Sequence, residues 1–309
     1  MSTRQIPAYT ALVIAVLLWG AMPPASKALV GVIGPWQVAF VRCLCAFVIL
    51  TIVCLVVAGP GALRSAIRRP VDTFVLGLLN FFISSITTQF ALQYIPASLH
   101  VVLISSSPIV LALMAMASRS MSVRGAIGAV IALIGVVAVI GGNDPRQVFS
   151  GSVDPRGLAF ALVNMLSIGA SQLWGRRVAL RGDPLGTTAL SGAAMLPFLF
   201  AGVLWEGGFG DVLNAPPSIW ILLGFIGVLG TAVTFGLWFW ALKHVSAARA
   251  APIQYISPPV GVLVAWYFLG ESLTIGLAVG TVLVLIGVAL TQMSSRPGLV
   301  APTKPVSTL

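Results

Sequence analysis

Acidic side chains are scarce in this chain: seven Asp and Glu stand against seventeen Lys and Arg in 309 residues. Only 8% of the residues are charged, 58% are hydrophobic, and the mean hydropathy is +1.05. A water-soluble domain of this length needs more charge to cover its surface, whereas apolar runs long enough to cross a bilayer recur from end to end. The runs do not alternate, which excludes a β-barrel. Histidine is limited to two residues and cysteine to three. Cys43 and Cys45 are two apart on one span with Cys54, so they point to different helix faces and read as packing residues. No metal-ligand cluster, nucleophile elbow, P-loop or intramembrane carboxylate pair occurs, which leaves no constellation for an enzyme, a metal or a cofactor. A small-residue cleavage site after the first apolar run is also missing, so that run is expected to stay as a span.

The net charge of +10 reads as topology rather than nucleic-acid binding. Arg64, Arg68 and Arg69, then Arg119 and Arg124, then Arg176, Arg177 and Arg181, then Lys243 and Arg249 occupy alternate connections. The intervening connections hold Asp144 and Asp154, Glu206 and Asp211, and Glu271. Short basic loops stay cytoplasmic. Arg4, Arg296 and Lys304 put both termini on that side, which requires an even number of crossings. Ten spans are predicted, near 8–30, 36–58, 72–94, 97–117, 122–141, 156–179, 185–205, 217–242, 246–268 and 272–293. Asn143-Asp144-Pro145 and Gly182-Asp183-Pro184 are turn signals. Residues 296–309, rich in Pro, Ser and Thr, are expected to be a disordered cytoplasmic tail.

The two halves repeat each other. Phe90-Ala-Leu-Gln-Tyr-Ile-Pro-Ala97 aligns with Trp240-Ala-Leu-Lys-His-Val-Ser-Ala247, and Ser107-Pro108 with Ser257-Pro258. Gly128 and Gly135 align with Gly280 and Gly287 after a small shift, and Gly34-Pro35 with Asp183-Pro184. Each copy, 1–142 and 155–295, holds five spans. An odd number of crossings makes the second copy enter from the opposite face, so the repeats are inverted about an axis in the membrane plane. The fold class is an all-α integral membrane protein built around a central cavity.

Proline inside a span removes a helix hydrogen bond and frees a carbonyl. Pro23 and Pro24 in the first span, Pro108 in the fourth, and Pro258 and Pro259 in the ninth are candidate hinges. Matched breaks in two halves point to a midplane site. The polar residues near mid-span are neutral and lie among aromatics. Trp19, Asn80, Ser84, Ser105, Asn164, Trp238, Gln254 and Tyr255 are the candidate solute contacts, with a ligand that is part apolar and part hydrogen-bonding. Interhelical hydrogen bonding, at about 0.6 kcal/mol per pair, is the competing reading for each Ser and Thr. Arg42, Lys27 and His100 are candidates for a carboxylate or a proton, although Arg42 is near enough to the outer end to snorkel there. No Asp or Glu sits at bilayer depth, which favours facilitated diffusion or exchange over tight proton coupling. The glycine faces of spans five and ten are expected to pack together as scaffold.

These residues resemble the drug/metabolite transporter superfamily, in particular its ten-helix EamA-type exporters. The resemblance rests on Trp19-Gly20 with a break behind it, Pro35 followed by Arg42, Ala97 with Ser107-Pro108, Ala247 with Pro258, and Gly270-Glu271 followed by Gly280 and Gly287. It covers about residues 8–293. Arg119 stands where the family usually has Glu, and Ser191 where the second repeat would echo Arg42. The resemblance implies a basket of inverted repeats in a bacterial inner membrane. It also implies export of amino acids or similar metabolites, with the aromatic and neutral amino-acid exporters as the best match. No cofactor or nucleic-acid partner is implied, and a monomer or weak oligomer is expected. A nucleotide-sugar or phosphate-ester exchanger is the alternative within transport, disfavoured by the few inward cations. A non-transporting receptor or scaffold is the alternative outside it.

Overall fold

A computed structural model describes residues 5–108, 123–142 and 153–293. Arg119, Asp144 and the tail at 296–309 lie outside the described residues. The chain forms α1 (Gln5–Lys27), α2 (Pro35–Val57), α3 (Pro70–Tyr94), α4 (Ala97–Ser105), α5 (Val123–Gly141), α6 (Pro155–Arg181), α7 (Pro184–Trp205), α8 (Pro217–Leu242), α9 (Ser257–Leu269) and α10 (Ile275–Met293). Among the described residues, seven of these helices are long and apolar enough to cross a membrane. Proline opens α2, α3, α6, α7 and α8, where its missing N–H costs nothing.

Helix neighbours obey the repeat. α2 packs on α7, α5 on α10 and α4 on α9, each pairing one half with its counterpart. Three further contacts are matched: α1 with α9 as α6 with α4, α1 with α8 as α6 with α3, and α2 with α8 as α7 with α3. The start of α6 lies against Tyr94 and Ile95 at the far end of α3, so the second copy enters from the opposite end to the first. α5 and α10 meet through glycine: a Cβ at Gly128 would stand 2.6 Å from Gly287 O, and one at Gly135 2.7 Å from Gly280 O. Such small faces let helix backbones approach closely where lipid offers no hydrophobic drive.

Two irregularities are matched as well. α3 and α8 widen into π-helix over Gly77–Ile83 and Phe225–Val233. The register that sets Phe90 on Trp240 sets Gly77 on Gly227. Thr231 and Thr234 hydroxyls donate to the carbonyls five residues back, Ile226 (2.7 Å) and Leu229 (2.6 Å), and Leu229 O also accepts the Thr234 N–H, the bonding pattern of the wider turn. The π segments abut the second helix of the other repeat. A Cβ at Gly77 would lie 2.6 Å from Ser191 O of α7, and one at Gly227 2.8 Å from Cys45 Cβ of α2.

The proline breaks divide into two kinds. α1 continues helical through Pro23 and Pro24. At the other positions the regular α-helix is interrupted. α4 ends at Ser105, Ser106 and Ser107 form a turn, and helix resumes at Pro108. In the second half a 3-10 segment, Ala251–Ile256, precedes α9, whose first turn contains Pro258 and Pro259. There the prolines start a new helix rather than kink an existing one.

Candidate functional site

The polar residues of the spans fall into three groups. The first is sealed. Ser84 Oγ donates to Asn164 Oδ1 at 3.0 Å, and Asn164 Nδ2 donates to Thr88 Oγ1 and stands 3.3 Å from His100 Nε2. Ser167 Oγ donates to Leu79 O at 2.7 Å, inside the π segment of α3. This set joins α3, α4 and α6, and His100 and Asn164 are fully buried. His100 Nδ1, Ser85 Oγ and Gln89 Nε2 are buried without a hydrogen-bond partner among the described residues.

The second group is half-buried. It comprises Trp19, Asn80, Ser105, Trp238, Gln254 and Tyr255. Ser105 Oγ is held by Val101 O at 2.7 Å. Asn80 and Gln254 make no side-chain hydrogen bond among the described residues, which leaves their amides free for a ligand. Trp19 stands 5.3 Å from Trp238 and 5.6 Å from Phe235, and Phe235 lies 6.2 Å from Phe81 (ring centroids). α1, α3 and α8 thus contribute to one aromatic cluster. Gln254 and Tyr255 occupy the 3-10 segment before α9, and the Gln254 carbonyl accepts the Ser257 N–H. The sequence-derived candidates are therefore not one surface: Ser84, Asn164 and His100 form the sealed junction, and the others remain partly open.

Of the cationic candidates, Lys27 is committed. Its Nζ donates to the carbonyls of Leu92 and Ile95, closing the last turn of α3. Arg42 donates Nε to Thr231 Oγ1 at 3.2 Å, on the π segment of α8.

The third group ties the halves together at the end of the bundle where Lys27 lies. Glu206, just past α7, accepts the N–H groups of Trp36 (3.1 Å) and Gln37 (3.3 Å) in the first turn of α2. Glu271, past α9, accepts Ala97 N–H at 2.6 Å, Ser98 N–H at 2.9 Å and the Ser98 hydroxyl, in the first turn of α4. Both carboxylates meet unpaired N–H groups and the positive end of a helix dipole. Gln37 adds bonds to Asp211 and to the Val212 N–H, at 2.9 and 3.1 Å. Burial pushes Glu206 above the usual carboxylate range, with Asp211 adding to the rise and the two N–H donors opposing it. Trp174 Nε1 to Asp72 Oδ1, at 3.1 Å, joins α6 to α3 at the opposite end. The capping role of Glu206 and Glu271 has one sequence signal, their position past the end of an apolar span. The donors they accept from lie on the other repeat and have none.

Comparison with known proteins agrees with this architecture. A solved crystal structure superposes with a TM-score of 0.64 at 17% identity, over 95% of this chain and 99% of that one. The transporter YvbV of Bacillus subtilis is 25% identical over 299 residues, 95% of each chain. The inner membrane transporter YedA of Escherichia coli is 25% identical over 285 residues, covering 89% of this chain and 87% of its own. The EamA-like transporter family matches twice, over residues 6–141 and 155–293. With nearly the whole chain accounted for by two copies of that unit, this multi-pass membrane protein belongs to the EamA-like transporter family.

Proposed function

We propose that this transporter exports amino acids, aromatic and other neutral ones, by alternating access through a central cavity between repeats near 1–142 and 155–295. The supporting observation is the half-buried set in which Asn80 and Gln254 keep free amides while Trp19, Trp238 and Phe235 form an aromatic cluster. Neutral polar groups beside apolar rings suit a solute with a hydrogen-bonding head and a large apolar side chain. Sugar nucleotides and phosphate esters call for several inward cations, and among the described residues Arg42 is the one candidate, Lys27 being engaged with carbonyls. The helix restarts at Pro108 and Ser257 are the hinges, and Pro23 and Pro24 bend α1 in the other state. Exchange or facilitated diffusion drives the cycle, with His100 as the residual proton site.

In this reading both termini are cytoplasmic, as the basic connections require. The Lys27 end is then the outer face, and Glu206 and Glu271 hold that face shut. The working unit is a monomer or weak oligomer in an inner membrane. Uptake into proteoliposomes of a labelled panel tests the substrate class. Aromatic and branched neutral amino acids are expected to enter, and sugar nucleotides and phosphate esters to stay outside. Entry of the phosphorylated compounds alone would reverse the assignment.

A further inference from the structure

Arg42 is a permanent cation within a membrane-spanning helix, and its surroundings define what it lacks. Six of the seven acidic residues are described, and each has another partner. Asp72 binds Trp174, Asp154 binds Arg156, Asp183 caps α7, Asp211 binds Gln37, and Glu206 and Glu271 cap α2 and α4. Among the described residues, no carboxylate reaches Arg42, and its hydrogen bond to Thr231 uses Nε alone. Both terminal nitrogens of the guanidinium fork stay free. An unpaired charge in this environment is costly and calls for a counter-ion.

The direction of the side chain excludes the bland explanation. Arg42 lies seven positions into α2, about 10 Å from its outer end, within reach of that interface by snorkelling. Its Cα is level with Gly227 of α8, 3.6 Å from where a Cβ there would stand. The guanidinium instead bonds Thr231, one turn further from Pro217 and just past the midpoint of the 26-residue α8. It reaches towards the membrane centre, not out of it. The lipid-exposed face of α2 carries Leu44, Val48, Ile52 and Leu55. Arg42 belongs to the opposite arc, between Cys45, which meets α8, and Cys43, which bonds Gly192 of α7. The Thr231 hydroxyl donates to Ile226 O and accepts from Arg42 Nε, which aims the fork.

We propose that the Arg42 fork is the anchor for a carboxylate on the transported solute, with Thr231 as its positioning residue. Phe235, the residue that touches both Trp19 and Phe81, follows Thr231 by four positions. Residues so spaced are neighbours on one helix face, about 5–6 Å apart. A solute held there carries its carboxylate roughly that far from a large apolar group. A guanidinium fork takes a carboxylate by two parallel hydrogen bonds, which an uncharged amide cannot reproduce. This inference rests on the proposed export function only for the identity of the solute.

The test uses full-length protein in detergent and the pair 3-phenylpropionate and 3-phenylpropionamide, read as ligand-induced shifts in melting temperature. The acid is expected to bind the wild type at least about tenfold more tightly than the amide. Arg42→Gln is expected to remove that preference, and Arg42→Lys and Thr231→Val to weaken it while the fold is retained. Equal binding of acid and amide by the wild type, or an undiminished preference in Arg42→Lys and Thr231→Val, would overturn the assignment. Phenylalanine transport is measured alongside. If it is absent while the acid preference still depends on Arg42, the amino-acid reading fails and the anchor stands.

Discussion

Gly34 and Glu206 share one space: a Cβ on Gly34 would overlap the Glu206 carboxylate. The glycine is what allows a side chain of the second repeat to reach the first N–H groups of α2 in the first repeat. Gly34→Ala should therefore expel the carboxylate and leave those donors unpaired. The expected cost is about 1–3 kcal/mol, the range for overpacking and for a lost charged hydrogen bond. Thermal unfolding in detergent checks the cost. Labelling of a single cysteine introduced at Gln37, in a cysteine-free background, should rise at the same time.

The same carboxylate makes the tie dependent on pH. Burial raises Glu206 in the tied arrangement, with Asp211 reinforcing it. Once released into water it returns to the ordinary carboxylate range, so the tied state holds the proton more tightly. Protons favour the state that binds them better. The preference for the tied state is complete below the ordinary carboxylate pKa and is lost as pH rises through the raised value. Labelling at the Gln37→Cys position should increase with pH across that window, and Glu206→Gln should flatten the dependence.

Glu271 makes the stronger cap, with three donors from Ala97 and Ser98. Glu271→Gln removes the charge and leaves one acceptor oxygen where two accept, with an NH2 turned towards a remaining N–H donor, and Ser98→Ala removes one donor. Charged hydrogen bonds contribute about 1.5–3 kcal/mol. Glu271→Gln should lower stability by about 1–2 kcal/mol, and Ser98→Ala by less. Equal unfolding midpoints for wild type and Glu271→Gln would show that this tie does not hold α9 to α4.

The membrane class and the duplication were legible because they rest on apolar run length and on repeated residues such as Ser107-Pro108 and Ser257-Pro258. The packing of Gly128 and Gly135 on Gly287 and Gly280 was legible too, since small residues one heptad apart mark a close face. The π segments were not. Gly77–Ile83 and Phe225–Val233 are apolar except for Asn80 and Thr231, and an extra residue per turn leaves hydropathy unchanged. The sealed Ser84–Asn164–His100 junction was hidden for another reason. Each residue looks the same in sequence whether its partner is a solute or another helix, and only the fold brings α3, α4 and α6 together.

The scaffold pair offers a prediction independent of transport. A Cβ at Gly280 would stand 2.5 Å from Gly135 O, so no side chain fits there without moving a backbone. Gly280→Leu should cost about 3 kcal/mol, at the upper end for overpacking. A partner change at Gly135 cannot rescue it, because the obstruction is a carbonyl. Loss of folded protein in size-exclusion chromatography is the expected readout. Val282→Leu on the exposed face of the same helix should be neutral.

Counterflow of labelled phenylalanine into proteoliposomes loaded with the unlabelled amino acid tests the central claim most directly. Wild-type protein should give a transient accumulation, reduced about tenfold or more in the double variant Gln254→Ala, Tyr255→Ala and in Trp238→Ala. Folded wild-type protein that gives no counterflow of any amino acid, or variants that transport as well as wild type, would contradict the account.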